Sequence, residues 1–450
     1  MAAALHIAYY ADDFTGATDA LESLTLAGLR TRLFLDPPTP RQLAAHPNLQ
    51  AIGVAGLTRS QSAPALARTL RPALAALRRL GPRHVHYKVC STFDSSPRTG
   101  SIGRAIEVGR GVFGRRVVPL LVAAPALGRY SVFGNLFARY GIGSEGAIHR
   151  LDRHPAASRH PVTPMAEADL RRHLARQTGL HAALFDILDV ALPPGEARAR
   201  LRELVRGGAD IVLFDALRSE QLARIGELID GLAPARGPLF SVGSSGLGSA
   251  LASAAPAGAA HPAFRRGAPP LATPLLVLSG SCSPVTGGQI EHALARGFTG
   301  IEIGPGPSGP GHGFRIQGSA RGPARKGRDE VAAKIIAALA SGRSVVAYTA
   351  RGSARGKPAD PRVLGGHLGR LGRAVLAATG LQRLLVAGGD TSSYAARALG
   401  IESVEMLARL APGAPLCRAH APGSPADGRE VNFKGGQVGA PDYFVKASAR

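Results

Sequence analysis

Asp12 and Asp13 stand side by side in the stretch Tyr9-Tyr10-Ala11-Asp12-Asp13-Phe14-Thr15-Gly16, directly after a short apolar run. Adjacent carboxylates repel each other and lose solvation when even partly buried, so a chain that keeps both has a use for them. One helix cap would account for one acid and leave the other. Taking a proton from a hydroxyl and orienting a hydroxyl or a cation are tasks that carboxylates in such a place perform. The Asp-x-Asp spacing of a haloacid-dehalogenase site is absent, because no residue separates this pair.

A second cluster runs through residues 86–104, HYKVCSTFDSSPRTGSIGR. An apolar run ends in Lys88, a loop rich in hydroxyls carries Asp94 and Ser95, and Gly100 to Gly103 leads into a helix pattern. An ammonium, a carboxylate and hydroxyls together suit a carboxylated polyol, and the amides of a helix start add an anion contact. Thr58-Arg59-Ser60 follows another apolar run, where Arg59 could fork onto a carboxylate. Residues 149–165 hold three histidines without zinc-ligand spacing, so a structural or substrate-gating loop is expected there rather than a metal site. Within it, Thr163-Pro164 reads as a helix start.

The second half is marked by glycine. LLVLSGSCSPVTGGQI (275–290) and LLVAGGDTSSYAARAL (384–399) both read as strand, glycine turn and helix, and KGGQVG (434–439) adds a late glycine loop. Glycine lets backbone approach phosphates closely, and helix-start amides complement their charge. Three such loops in one domain point to a nucleotide. There is no G-x-x-x-x-G-K-[ST], and no strand expected from the sequence is followed by G-x-G-x-x-G with an acid about 20 residues on, so neither a P-loop nor a dinucleotide fold is expected.

Elements must hold these groups in place. Strands are expected at 5–10, 51–56, 84–88, 117–123, 211–215 and 239–242, with helices over 63–79 and 193–206 and a helix after Asp13 that stops at Gly28. Further strands are expected at 275–278, 344–348 and 384–387. Alternating strands and helices define an α/β protein. The aperiodic, Pro- and Ala-rich run 253–274 divides it into residues 1–252 and 275–450, two α/β domains with a ligand cleft expected between them. Gly/Pro-rich stretches near 304–328 and 351–366 read as loops.

The net charge of +23 raises the question of nucleic acid. Only six of the 54 basic residues are lysine, the arginines are scattered, and no Cys/His finger or aromatic strip accompanies them, so no nucleic-acid partner is expected. Three dispersed cysteines make neither a disulfide framework nor a zinc site, and no metal ligands are assigned. No signal peptide or long apolar span is present, which makes a cytoplasmic protein without membrane contact the expectation.

The ordered set ADDFTGATDA at 11–20, YKVCSTFDSSPRTGSIG at 87–103, SGSCSPVTGGQI at 279–290 and AGGDTSSY at 387–394 resembles the four-carbon acid sugar kinases, over nearly the whole chain. The resemblance implies a sugar-acid-binding N-terminal domain, a nucleotide-binding C-terminal domain, and phosphorylation of threonate, erythronate, 3-oxo-tetronate or a branched relative such as 3-oxo-isoapionate by ATP with Mg2+. It places nucleotide contacts on Ser281, on Gly388, Gly389, Asp390 and Thr391, and on Gly436. The family often has Glu at the position of Asp390 and a Gly-Asn-Phe-Gly-like loop at 436–439. On the acceptor side, Asp12 is expected as the base and Asp13 as its neighbour orienting a hydroxyl or Mg2+. Lys88 or Arg59 would take the substrate carboxylate, and Asp94 with Ser95 its hydroxyls. A homodimer is a further expectation. A metal-dependent phosphatase or aldolase using the acid pair, and a basic nucleic-acid-binding protein, are the alternatives.

Overall fold

A computed structural model describes residues 5–140, 146–160, 162–255, 274–303, 323–351 and 360–448. Most of the Pro/Ala-rich run (256–273) and parts of the two Gly/Pro-rich stretches (304–322 and 352–359) lie outside the described residues. The chain divides into two compact units, Met1–Pro262 and Ala263–Arg450.

The first unit contains β1 (Ile7–Ala11), β2 (Thr31–Phe34), β3 (Ala51–Ala55), β4 (His84–Lys88), β5 (Val118–Leu121), β6 (Arg129–Val132), β7 (Asn135–Arg139), β8 (Ile148–Arg150), β9 (Ala182–Phe185), β10 (Ile211–Phe214) and β11 (Leu239–Gly243). Eight of these form a parallel run in the order β2-β3-β1-β4-β11-β5-β10-β9. Most of its strands are short apolar runs buried from end to end, as expected for a parallel sheet covered on both faces. Asp13 caps the helix Phe14–Leu26 by accepting from the Gly16 amide. That helix stops where Gly28 takes a left-handed φ of 91°. Leu66, Leu70, Leu74 and Leu77 of helix Ala63–Arg79 recur every three or four residues and pack with Ile52, Val54, Val85 and Tyr87.

The order of connections matters more than the strand count. From β1 the chain moves outward to β2, returns through β3, and then crosses to β4 on the other side. The switch of direction between β1 and β4 opens a crevice beyond their carboxyl ends, the place where open α/β sheets bind ligands.

β6, β7 and β8 form a separate antiparallel sheet that the sequence reading did not anticipate. Its first turn, Phe133-Gly134, has positive φ at both residues (49° and 78°), and Asp215 fixes it by accepting from Ser131 Oγ and the Gly134 amide. Within residues 149–165, His154 is buried and its Nδ1 accepts from the amides of Ala156 and Ala157, a structural role. Thr163-Pro164 does not start a helix. The Thr163 amide and hydroxyl bond His160 Nδ1 instead, and the next helix is Leu170–Ala175, capped by Asp169.

The second unit contains β12 (Leu276–Ser279), β13 (Thr299–Glu302), β14 (Val345–Tyr348), β15 (Arg383–Ala387), β16 (Ser403–Ala411), β17 (Ala414–His420) and β18 (Glu430–Lys434). The order is β13-β14-β12-β15-β18-β17-β16, parallel through β18 and antiparallel for the last two. Its opening strands repeat the order of the first unit, with the switch of direction between β12 and β15. Residues 323–328 and 361–366, read from sequence as loop, belong to helices Pro323–Ala340 and Pro361–Ala378. The glycines that suggested a loop serve helix packing. A Cβ at Gly365 would lie 2.5 Å from the Thr391 carbonyl oxygen, and one at Gly369 would lie 2.5 Å from that of Ala395. Both glycines let the helix Pro361–Ala378 press against the helix Gly389–Ala398.

Candidate active site

Three strand ends of the first unit bring the acceptor-side residues together. Asp12 and Asp13 follow β1, Thr58 and Arg59 follow β3, and Lys88 ends β4. Backbone bonds stitch the ends, from the Asp12 amide to Lys88 O (2.9 Å) and from the Arg59 amide to Asp12 O (3.0 Å). Both acids are buried. Arg59 donates through Nε (3.0 Å) and Nη2 (2.7 Å) to the two oxygens of Asp12, and through Nη1 to Asp13 Oδ2. Asp13 Oδ1 accepts from the Gly16 amide at 2.6 Å. Lys88, almost wholly buried, pairs with Asp19 Oδ2 at 3.1 Å and donates to Val89 O. Burial pushes the Asp12 carboxyl up, Arg59 opposes the rise, and Asp13 adds to it. A carboxylate raised in this way is a better proton acceptor than a free aspartate.

The question posed by the acid pair therefore has a local answer, since one guanidinium compensates both charges. Arg59 is turned toward the protein's own acids. A guanidinium has five N–H groups and an ammonium three. Arg59 therefore has two N–H groups, and Lys88 one, without an acceptor among the described residues. A Cβ on Gly16 would lie 2.6 Å from Asp13 Oδ1, 3.2 Å from Lys88 Nζ and 3.6 Å from Arg59 Nη2. Only glycine leaves that space open.

Asp94 is half-buried, and its charge acts on Cys90, whose thiol burial pushes up to about 12. Ser95 is not brought to the cluster. Its hydroxyl donates to Phe93 O and lies 2.9 Å from both His173 Nε2 and Gln177 Nε2, so it is engaged within the protein. Phe93, fully buried, carries a left-handed φ of 57°, and this turn directs Ser95 inward. Asp19 is the acceptor-side residue that sequence reasoning missed. It lies in the quoted stretch 11–20, but a single acid within a helix reads as surface.

In the second unit β12, β15 and β18 are adjacent and parallel, and each is followed directly by glycine: Gly280, Gly388 and Gly435. The amide of Gly280 bonds Ala387 O and that of Gly388 bonds Lys434 O. The loops touch closely. Added Cβ atoms would lie 2.8 Å from Thr391 Cγ2 at Gly280 and 2.7 Å from Ser281 Oγ at Gly436, while Gly388 has φ 136°. Helices Pro284–Ala295 and Gly389–Ala398 start at this rim without a side-chain cap among the described residues, and the Ser279 and Ser283 hydroxyls are buried without a partner there. Uncapped amides, orphaned hydroxyls and bare glycine backbone together form an anion cradle. Ser281 and Thr391 lie within it, and Asp390 falls in the first turn of the second helix. Gln289 Nε2 holds the late loop through the carbonyls of Val438, Gly439 and Ala440, and Lys434 Nζ bonds Thr286 Oγ1, which in turn donates to Gly436 O. Sequence reading missed Gln289, Thr286 and Lys434, although Lys434 directly precedes the glycines that were noticed.

One α/β domain with a charge-compensated acid pair, joined in sequence to another with an anion cradle, defines a phosphotransferase of two domains. Comparison with known proteins agrees. Residues 7–251 match the family model described as a sugar-binding N-terminal domain, and residues 276–444 the one described as a nucleotide-binding C-terminal domain. A 3-oxo-isoapionate kinase of Paraburkholderia graminis is 40% identical, with 98% of this chain and 94% of that protein covered. A 3-oxo-tetronate kinase of Methylobacterium radiotolerans is 32% identical, with 97% of each covered. The crystal structure of a Salmonella typhimurium LT2 protein put forward as a tRNA synthase superposes with a TM-score of 0.76 at 26% identity, covering 98% of both chains. The chain belongs to the four-carbon acid sugar kinase family, and it is a sugar-acid kinase. Among the described residues no helix is long and apolar enough to cross a membrane.

Proposed function

We propose that this kinase transfers the γ-phosphoryl group of ATP to a hydroxyl of a short oxidised sugar acid, with 3-oxo-isoapionate the first candidate and 3-oxo-tetronate the second. The observation that carries the reading is Asp12 at its strand end, raised in proton affinity by burial and oriented by the Arg59 fork, which offsets part of that rise. Asp12 accepts the proton of the attacking hydroxyl, whose oxygen bonds to the γ-phosphorus as the bond to the β–γ bridging oxygen breaks and ADP leaves. The free N–H groups of Arg59 and Lys88 suit the substrate carboxylate, and Asp94 a hydroxyl. Ser281, Gly388, Gly389, Asp390, Thr391 and Gly436 are assigned to the nucleotide. Positioning and charge neutralisation supply most of the catalysis in such transfers. Asp13 does not fit a metal ligand, because one oxygen caps Gly16 and the other accepts from Arg59. Mg2+ is therefore taken to arrive on the ATP phosphates, where it neutralises charge. The whole acts as one two-domain unit, residues 1–252 for the acid and 275–450 for the nucleotide.

An ADP-release screen over four-carbon and branched 3-oxo acids with Mg-ATP tests this. ADP formed only with an acid present is the expected result. Turnover of the acids without nucleotide would instead establish a phosphatase or aldolase.

A further inference from the structure

Lys434 is fully buried at the end of β18, between two of the three glycine turns. Its Nζ has one described hydrogen-bond acceptor, Thr286 Oγ1 at 3.0 Å, and no ion pair among the described residues. A buried ammonium without an anion is unfavourable, and such a group neutralises or finds a counter-charge. The described side chains around it supply none. From helix Tyr443–Ala447 the Tyr443 and Phe444 rings stand 5.8 Å away, and the Tyr443 hydroxyl is occupied with Asn432 Oδ1. From helix Pro284–Ala295 come the Thr286 hydroxyl and the Gln289 amide, and the β15 neighbour in register is Ala387. Helix Gly389–Ala398 carries Asp390, Thr391 and Ser392 in its first turn, and the Ser392 hydroxyl is occupied with Gly388 O. Tyr443 is the titratable group among the described contacts.

The missing counter-charge has an obvious source. Lys434 is linked through Thr286 to Gly436 O and through its own carbonyl to the Gly388 amide, so it braces two of the loops that form the anion cradle. We propose that Lys434 is a positioning residue that takes up a proton from solvent as the nucleotide's phosphates enter, becoming the buried cation that holds the loops against them. The inference rests on the nucleotide reading of this domain. Burial alone brings the Lys434 ammonium down to about 7, so near neutral pH a bound anion can shift its charge.

Calorimetry of Mg-ATP binding at pH 7.5, in PIPES and in Tris, tests the proposal. Net uptake of more than about half a proton per nucleotide is expected, read from the dependence of the heat on buffer ionisation enthalpy. Affinity should weaken above pH 7 by up to about tenfold per unit. Lys434→Arg, charged throughout, should bind with little proton uptake and a flatter pH profile. Lys434→Met should bind at least about tenfold more weakly at pH 7 without uptake. Equal proton uptake in the wild type and Lys434→Arg, or none in the wild type, overturns the proposal while leaving the nucleotide site in place. Failure of the wild type to bind Mg-ATP overturns the site itself.

Discussion

Asp12 illustrates how one side chain can be costly to folding and useful to chemistry. Its carboxyl is raised chiefly by burial, so the folded chain holds that proton more tightly than the unfolded chain. Stability then falls as pH rises from the ordinary carboxylate value through the raised one, and the cost persists at neutral pH. Asp12→Asn removes the charge and keeps the shape. It should lower turnover by about 10²–10⁴-fold, leave Mg-ATP affinity unchanged, and melt no lower than the wild type at pH 7.5. Steady-state kinetics, calorimetry and a thermal scan read the three effects, and unchanged turnover would remove Asp12 from the base role. The sequence made Asp12, Asp13, Arg59 and Lys88 legible because each follows or ends an apolar run. It could not show that Arg59 turns toward the acids or that Ser95 turns away, since side-chain direction depends on neighbours from distant positions such as His173 and Gln177.

Element positions were readable where burial imposes a pattern. His84–Lys88 and the helix Ala63–Arg79 coincide with their expected bounds, one a continuous buried run and the other a leucine stripe. The β6–β8 sheet and the hairpin of β16 and β17 mix polar and apolar residues, and the sequence analysis assigned them no strand. Glycine misled in a different way. Gly365 and Gly369 resemble breakers but form the groove that receives helix Gly389–Ala398. Gly369→Ala gains helix propensity yet places its Cβ 2.5 Å from a carbonyl oxygen and 2.6 Å from Ala398 Cβ. Overpacking should win, with a loss of about 1–3 kcal/mol in denaturant unfolding. The displaced helix begins at Gly389, so KM for ATP should rise as well. A more stable variant with unaltered KM would show that the glycines are not needed for this packing.

The whole molecule carries a net charge of +23, while both ligands of the proposed reaction are anions. A positive field raises the local concentration of such ligands and is screened beyond about 10 Å at 0.1 M salt. KM for the sugar acid should therefore climb with added KCl, with kcat changing less. A salt-independent KM would confine the electrostatic contribution to Arg59 and Lys88. Charge alone was ambiguous in the sequence, because the same excess of arginine would serve a nucleic-acid protein. The ordered motifs, not the charge, pointed to the kinase family.

The shared order of the opening strands in the two units has a consequence for evolution. In the proposed function each unit meets its ligand through the segments leaving its strand ends, and the strands beneath need no new register when those segments change. The residues after β1, β3 and β4 can thus diverge toward a different acid while the turns after β12, β15 and β18 remain as they are. Descendants of one ancestor can in this way explore new carbon skeletons without relearning how to hold a phosphate.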